Sequence, residues 1–231
     1  MVCCVPRGGE AKVLEKLPES VGHALINQRA GMENVLYNEL FRHRNTARMD
    51  LTSKAFVFNG RLPMRFTADG DGASPPLSWA GVPREAESLA LIVEDADSPT
   101  PHPLVHAIVV GLPAGSGSLE EASLNSAHPS AHPDVAGVEI GRNSFFQQAW
   151  LPPDPPRAHG EHRYVFQLYA LRAGTPFSEV PGRREFIAAI LERAVAVGCL
   201  IGTYERSERA PSDREVAETP VVGIPVVGLM A

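Results

Sequence analysis

Apolar positions follow two regimes along the chain. Over residues 10–45 they recur at helical spacing, first Val13, Leu14, Leu17, Val21 and Leu25, then Met32, Val35, Leu36 and Leu40. Steps of three and four residues place such side chains on one helix face. Pro18 and Gly31 interrupt the pattern, so it predicts two short helices, each with an apolar stripe that needs burial. From residue 52 the apolar runs shorten and turn residues separate them. Lys54–Phe58, Ser88–Asp95, Val105–Leu112 and His162–Leu171 read as strands. Ser88–Asp95 is almost continuously apolar, the pattern of a central strand covered on both faces. Ala114–Arg142, with AGSGS and two His-Pro dipeptides, reads as a long loop, a feature that often carries function. Arg184–Gly198 is rich in Ala, Leu and Glu and predicts a helix stopped by Gly198, with Gly202–Arg206 as a final short strand. Three segments result: a helical arm over 1–50, a β-rich domain over 51–206 and a tail over 207–231.

Composition narrows the function. At 231 residues with 44% hydrophobic content, the chain can bury one sizeable core. Its apolar runs fall well short of the roughly 18 residues that suggest a membrane helix, so no stable membrane insertion is expected. The start, MVCCVPRGGE, lacks the apolar stretch of a secretory signal. A net charge of −6 argues against nucleic acid as a partner, because phosphate backbones recruit basic surfaces. Cys3, Cys4 and Cys199 form an odd set without CxxC, which fits a reduced, cytoplasmic compartment. Cys3 and Cys4 read as a frayed terminus, and Cys199 as core at the end of the last helix.

The chemistry concentrates at strand ends. Asp95 closes one apolar strand, His106 lies at the start of the next, and His162 opens a third. If the first two strands pair antiparallel, Asp95 and His106 share one rim of the sheet. Two imidazoles with one carboxylate to orient them can bind a phosphate-like oxyanion. Protonated rings would donate to it, so affinity is expected to fall as pH rises through about 6–8. The same residue types suit zinc or iron, but no compact ligand spacing supports a metal. His128 and His132 sit beside prolines and read as loop residues. No G-x-S-x-G, G-x-G-x-x-G or P-loop occurs, so no cofactor is implied.

The ordered set Asp69–Trp79 (DGDGASPPLSW), Gly81-Val82-Pro83, Ser88–Pro99 (SLALIVEDADSP), His106–Pro113 (HAIVVGLP), His162–Leu171 (HRYVFQLYAL) and Leu200–Arg206 (LIGTYER) resembles the phosphatidylethanolamine-binding protein family, in its bacterial Raf kinase inhibitor-like branch. The resemblance implies a mainly β fold with a large central antiparallel sheet, a smaller second sheet and a C-terminal helix, here with an N-terminal helical extension. It also implies an anion pocket. By motif position, Asp95 and Asp97 match the acids of the family's DPDxP turn, His106 its strand-opening histidine, and His162 and Tyr164 its HRY segment. Asp154-Pro155 stands where the family carries Gly-Pro or Cys-Pro. Ala96 replaces a motif proline, and the acid at Asp154 is expected to repel a dianion. The expected function is a non-enzymatic binding protein for a small anion or a phosphorylated group, acting as a modulator of a kinase or hydrolase. Two alternatives stay open: an interaction inhibitor with a vestigial pocket, and a weak hydrolase using His106 and His162. The arm is expected to bury its stripes on the domain or, by preference, across a homodimer.

Overall fold

The computed structural model describes residues 19–43, 46–125 and 137–206. The readings made for Cys3, Cys4, Val13 to Leu17, His128, His132 and the tail lie outside these residues.

The architecture is mainly β. A seven-stranded sheet runs in the order β1 (Ala47–Arg48), β10 (Ala194–Tyr204), β9 (His162–Leu171), β5 (Ser88–Asp95), β6 (Leu104–Pro113), β8 (Glu139–Ile140), with β3 (Gly60–Arg61) also on β10. The small edge strands β1 and β3 run parallel to β10, and the other pairings in this sheet are antiparallel. A second sheet of β2 (Asp50–Thr52), β4 (Leu77–Ala80) and β7 (Gly117–Leu119) covers one face. Leu91, Val93, Phe166 and Leu200 pack with Leu51 and Trp79 in the resulting core. On the other face, Ile92, Ile108 and Tyr169 pack against α2 (Leu36–His43) and α3 (Arg183–Arg193). As its continuous apolar run predicts, β5 is buried on both faces.

Three local expectations need correction. Lys54–Phe58 is not a strand. Phe56 packs into the core and meets Phe166 with ring centroids 5.5 Å apart, while Val57 and Phe58 are exposed. The helix expected to reach Gly198 ends at Arg193, and Ala194–Tyr204 form one 11-residue strand rather than a late short one. Pairing with β9 along nearly its whole length overrides the helix propensity of Ala194–Val197. Gly198 is therefore not a helix stop; it lets β2 lie close, because a Cβ there would crowd Leu51 Cβ. Cys199 accordingly sits mid-strand, half-buried, with its thiol pushed up to about 12 by burial.

The N-terminal arm docks on its own chain. Val35, Leu36 and Leu40 are fully buried there, so this stripe is covered within the chain. The first amides of α2 are held by the sheet: Leu36 N–H donates to Glu94 Oε2 at 3.0 Å and Tyr37 N–H to Gln167 Oε1 at 2.7 Å. These are orphan donors of a helix start, satisfied by side chains from β5 and β9.

Candidate functional site

Strand alternation sorts the residues at one end of the large sheet. On β5, Glu94 faces α2 and Asp95 faces the opposite side, because successive side chains alternate. Asp95 stands opposite Leu104 of β6 and Tyr164 of β9. The register of β5 with β6 steps from Val93↔Ala107 to Glu94↔Val105, so His106 is the extra residue of a β-bulge. Bulges re-aim side chains beside functional sites. Here the bulge delivers His106 toward Trp150 and the edge of Tyr164.

A cavity of about 440 Å³ opens at this end of the sheet. Asp95, His106, His162 and Asp154 supply polar groups to it, and Leu104, Leu151, Phe145 and the Pro152–Pro156 segment supply apolar wall. Tyr164 lies in the adjoining layer, fully buried. Asp97 does not line the cavity. Its carboxylate turns away to a bidentate pair with Arg163 (2.7 Å for each bond) and to Arg29 at 2.9 Å. Burial pushes the Asp97 carboxyl up, and the hydrogen bonds from Arg163 and Arg29 outweigh this and hold it below its usual range. Asp97 thus joins the arm to β9 and has no contact with the cavity.

Asp154 is not the unopposed acid expected from sequence. It pairs with Arg206, which follows β10 and also holds Asp69 (2.8 Å), and Tyr204 donates to Asp69 at 2.6 Å. Arg206 so fixes the Asp154-Pro155 segment against the sheet and neutralises much of its charge.

The two histidines differ from the expected pair of charged donors. His106 Nδ1 donates to the Leu151 carbonyl at 2.6 Å, since a carbonyl oxygen only accepts. Burial pushes the His106 ring down from its ordinary value against the pull of Asp95, so the ring is neutral near pH 7 and Nε2 is an acceptor. That atom is buried and meets no hydrogen-bond partner among the described residues. His162 has no free ring nitrogen: Nδ1 meets Asp95 Oδ2 at 2.7 Å and Nε2 meets His159 Nδ1 at 2.7 Å. Asp95 Oδ1 accepts the Asp97 amide at 2.8 Å. The Tyr164 hydroxyl is buried without a partner among the described residues, and burial, then Asp95, raises its pKa well above the ordinary phenol value. It remains a neutral donor.

Sequence reasoning missed His159, Arg206 and Asp69. The HGEH spacing, with His159 three residues before His162, was a legible signal. Arg206 carried none, because its partners Asp154 and Asp69 lie 52 and 137 residues away in the sequence. Among the described residues, no group of three or more His, Cys, Asp or Glu side chains is placed to hold a metal ion, and no helix is long and apolar enough to cross a membrane.

Comparisons with known proteins match this fold. The family model described as phosphatidylethanolamine-binding protein matches residues 52–205. A UPF0098 protein of Methanothermobacter thermautotrophicus is 38% identical over 158 residues, covering 68% of this chain and 99% of that protein. A UPF0098 protein of Chlamydia trachomatis is 35% identical over 162 residues, covering 68% of this chain and 99% of that protein. Among solved structures, a phosphatidylethanolamine-binding protein homolog from Chlamydia trachomatis aligns with a TM-score of 0.59 at 33% identity, covering 70% of this chain and 99% of that one. YbcL of E. coli, described as a member of the mammalian PEBP family, aligns with a TM-score of 0.63 at 25% identity, covering 69% and 99%.

Proposed function

The chain belongs to the phosphatidylethanolamine-binding protein family, and from that premise we propose that it is a non-enzymatic binding protein whose cavity takes a singly charged, protonated oxyanion of the phosphate type. The observation that carries this reading is the bare Nε2 of His106. A buried acceptor left without a donor costs about 1–3 kcal/mol, and the ligand that relieves it must bring a hydrogen-bond donor. Dihydrogen phosphate or a protonated phosphate monoester has a hydroxyl for His106 and an anionic oxygen for the Tyr164 phenol. The apolar wall of Leu104, Leu151 and the prolines suits an apolar body attached to that head. A phosphorylated side chain of a protein partner presents the same head, which is how modulation of a kinase or hydrolase would work.

Two features argue against a dianion and against turnover. Asp71 and Asp95 line the cavity, so a second negative charge is repelled. Ser98 is a hydroxyl in the lining, but its Oγ is tied to the Asp95 carbonyl at 3.2 Å and accepts the Leu104 amide at 3.2 Å, leaving it unactivated as a nucleophile.

Calorimetry with inorganic phosphate, sulfate and ethylammonium tests the reading. Phosphate is expected to bind more tightly at pH 5.5 than at pH 8, because its second ionisation turns the monoanion into a dianion that the cavity carboxylates repel. Sulfate carries no proton in this range and should bind at least tenfold more weakly at pH 5.5. Equal affinity for sulfate and phosphate would overturn the role of His106 as acceptor. Binding of ethylammonium alone would mean the cavity selects a cation.

A further inference from the structure

The short hydrogen bond between His162 and His159 is one link in a longer chain. His159 is fully buried. Its Nε2 meets two backbone carbonyls of the arm, Leu25 O at 2.9 Å and Gln28 O at 3.1 Å. Leu25 is the last residue of α1 (Glu19–Leu25). The sequence of contacts is therefore arm carbonyls, His159, His162, Asp95, cavity.

Donor and acceptor accounting fixes the protons along this chain. Carbonyls only accept, so His159 Nε2 carries a hydrogen. The contact between the two rings needs one hydrogen, and the contact between His162 and Asp95 needs another. Three contacts need three protons, whereas two neutral imidazoles and a carboxylate supply two. One further proton is therefore held by the chain. If His159 is the neutral ring, its Nδ1 is a bare acceptor, His162 donates from Nε2, and the extra proton lies between His162 Nδ1 and Asp95. Burial and the charge of His162 both push His159 toward its neutral form, against the pull of the two carbonyls. The charged and titratable groups facing the chain are Asp95 from β5, His106 from β6, Tyr164 from β9 and Arg29 from the arm.

The arm is built to sit at this place. Gly22 of α1 lies against the loop before β9, where a Cβ would overlap the Arg157 carbonyl oxygen. Arg29 donates to the carbonyls of Glu161 (2.8 Å) and His159 (3.0 Å). Ala30 and Gly31 amides donate to Ser98 O (2.9 Å) and Ala96 O (2.8 Å). One stretch of the arm thus grips both turns that carry cavity residues.

We infer that the N-terminal arm is part of the ligand site: its Leu25 and Gln28 carbonyls fix His159 as the acceptor that keeps His162 doubly protonated against Asp95. His159 is a positioning residue, acting on the cavity through His162. The inference deepens the binding function proposed above, and the doubly protonated ring gives that cavity, among its described lining residues, a positive group that suits a monoanion.

Ring nitrogen-15 NMR of the full, ligand-free chain at pH 7 tests the proton placement without any ligand. His162 is expected to show both ring nitrogens protonated, and His159 only Nε2. His159→Ala removes the acceptor and should convert His162 to a singly protonated ring. His159→Gln should preserve the wild-type His162 signature, because its amide can accept from His162 and donate to the carbonyls. Gly22→Ala, far from the cavity, should act like His159→Ala by lifting α1 off the loop. Phosphate affinity should fall about tenfold in His159→Ala and Gly22→Ala, the equivalent of one ordered hydrogen bond, and recover in His159→Gln. A singly protonated His162 in the wild type would overturn the inference, as would Gly22→Ala leaving its ring resonances unmoved or His159→Gln behaving like Ala. Should the wild type show the expected ring signals but bind no phosphate, the binding function fails and the chain of protons stands.

Discussion

Adjacent residues of β5 enter two buried polar clusters on opposite faces of the sheet. On the α2 side, Glu94 Oε2 accepts from Leu36 N–H and from Gln167 Nε2 at 2.9 Å, and Oε1 accepts from Arg183 at 2.8 Å. Gln167 Oε1 accepts in turn from the Tyr169 hydroxyl at 2.8 Å. Both oxygens of the acid and the amide carbonyl are used. On the cavity side, Asp95 and His162 are also paired, but His106 Nε2 and the Tyr164 hydroxyl are left over. A closed network holds the arm to the sheet. The open one keeps a bare acceptor in the cavity lining and an unpartnered hydroxyl in the layer behind it, which is the state of a site that expects a polar ligand.

The largest effect is expected where the closed cluster is broken. Glu94→Ala strands Arg183, the Leu36 amide and Gln167 together, and should cost on the order of 3 kcal/mol. Urea unfolding measures it. A loss below about 1 kcal/mol would mean that the cluster does not hold the arm.

The next effect separates the clusters by pH. His106 and His159 are pushed below their ordinary values by burial. Each of these two rings therefore binds fewer protons in the folded chain than in the unfolded one just below about pH 6.5. Their contribution to stability is fully present above that point and falls as pH drops below it. The urea midpoint measured at pH 7.5 and 5.5 should shift less in His106→Phe than in the wild type. An identical shift would assign the whole dependence to other groups. The depressed Asp97 carboxyl acts in the same direction at lower pH, contributing above about pH 4 and losing that contribution as pH falls through its folded value.

The smallest effect is also the cleanest comparison, because it uses one substitution on one strand. Tyr169→Phe removes a satisfied hydroxyl from the closed cluster and should cost about 1 kcal/mol. Tyr164→Phe removes an unpartnered hydroxyl from the open one and should be neutral or stabilising, while weakening phosphate binding. Equal losses of stability in the two variants would erase the distinction between the clusters.

Much of the site was legible because the strands carrying it were legible. Ser88–Asp95 and His162–Leu171 are nearly continuous apolar runs bounded by turn residues, and their ends were readable to the residue. Strand-end residues of antiparallel neighbours must come together, so Asp95, His106 and His162 could be grouped without coordinates. The roles were harder to read. Asp97 and Asp95 are two residues apart in a tight turn, and only the positions of Arg29 and Arg163 decide that one is an anchor and the other a wall of the cavity. The helix expected through Val197 failed for a similar reason. Local propensity favoured helix, but β9 offered a ladder of backbone hydrogen bonds that Ala194–Tyr204 could satisfy only as a strand.

What the amino-acid order determined by itself is the apolar runs of the central strands, the strand ends, and which titratable side chains lie at them, since these follow from local pattern and steric preference. What tertiary structure alone decided is the protonation and pairing of those side chains. His106 became a bare acceptor because the Leu151 carbonyl took its other nitrogen. Asp154 lost its repulsive character because Arg206, 52 positions later in the numbering, was folded against it. His159 entered the site because the end of α1 presented two carbonyls to it. Charge and hydrogen-bond state depend on distance and burial in three dimensions, and neither quantity is written in the local order of residues.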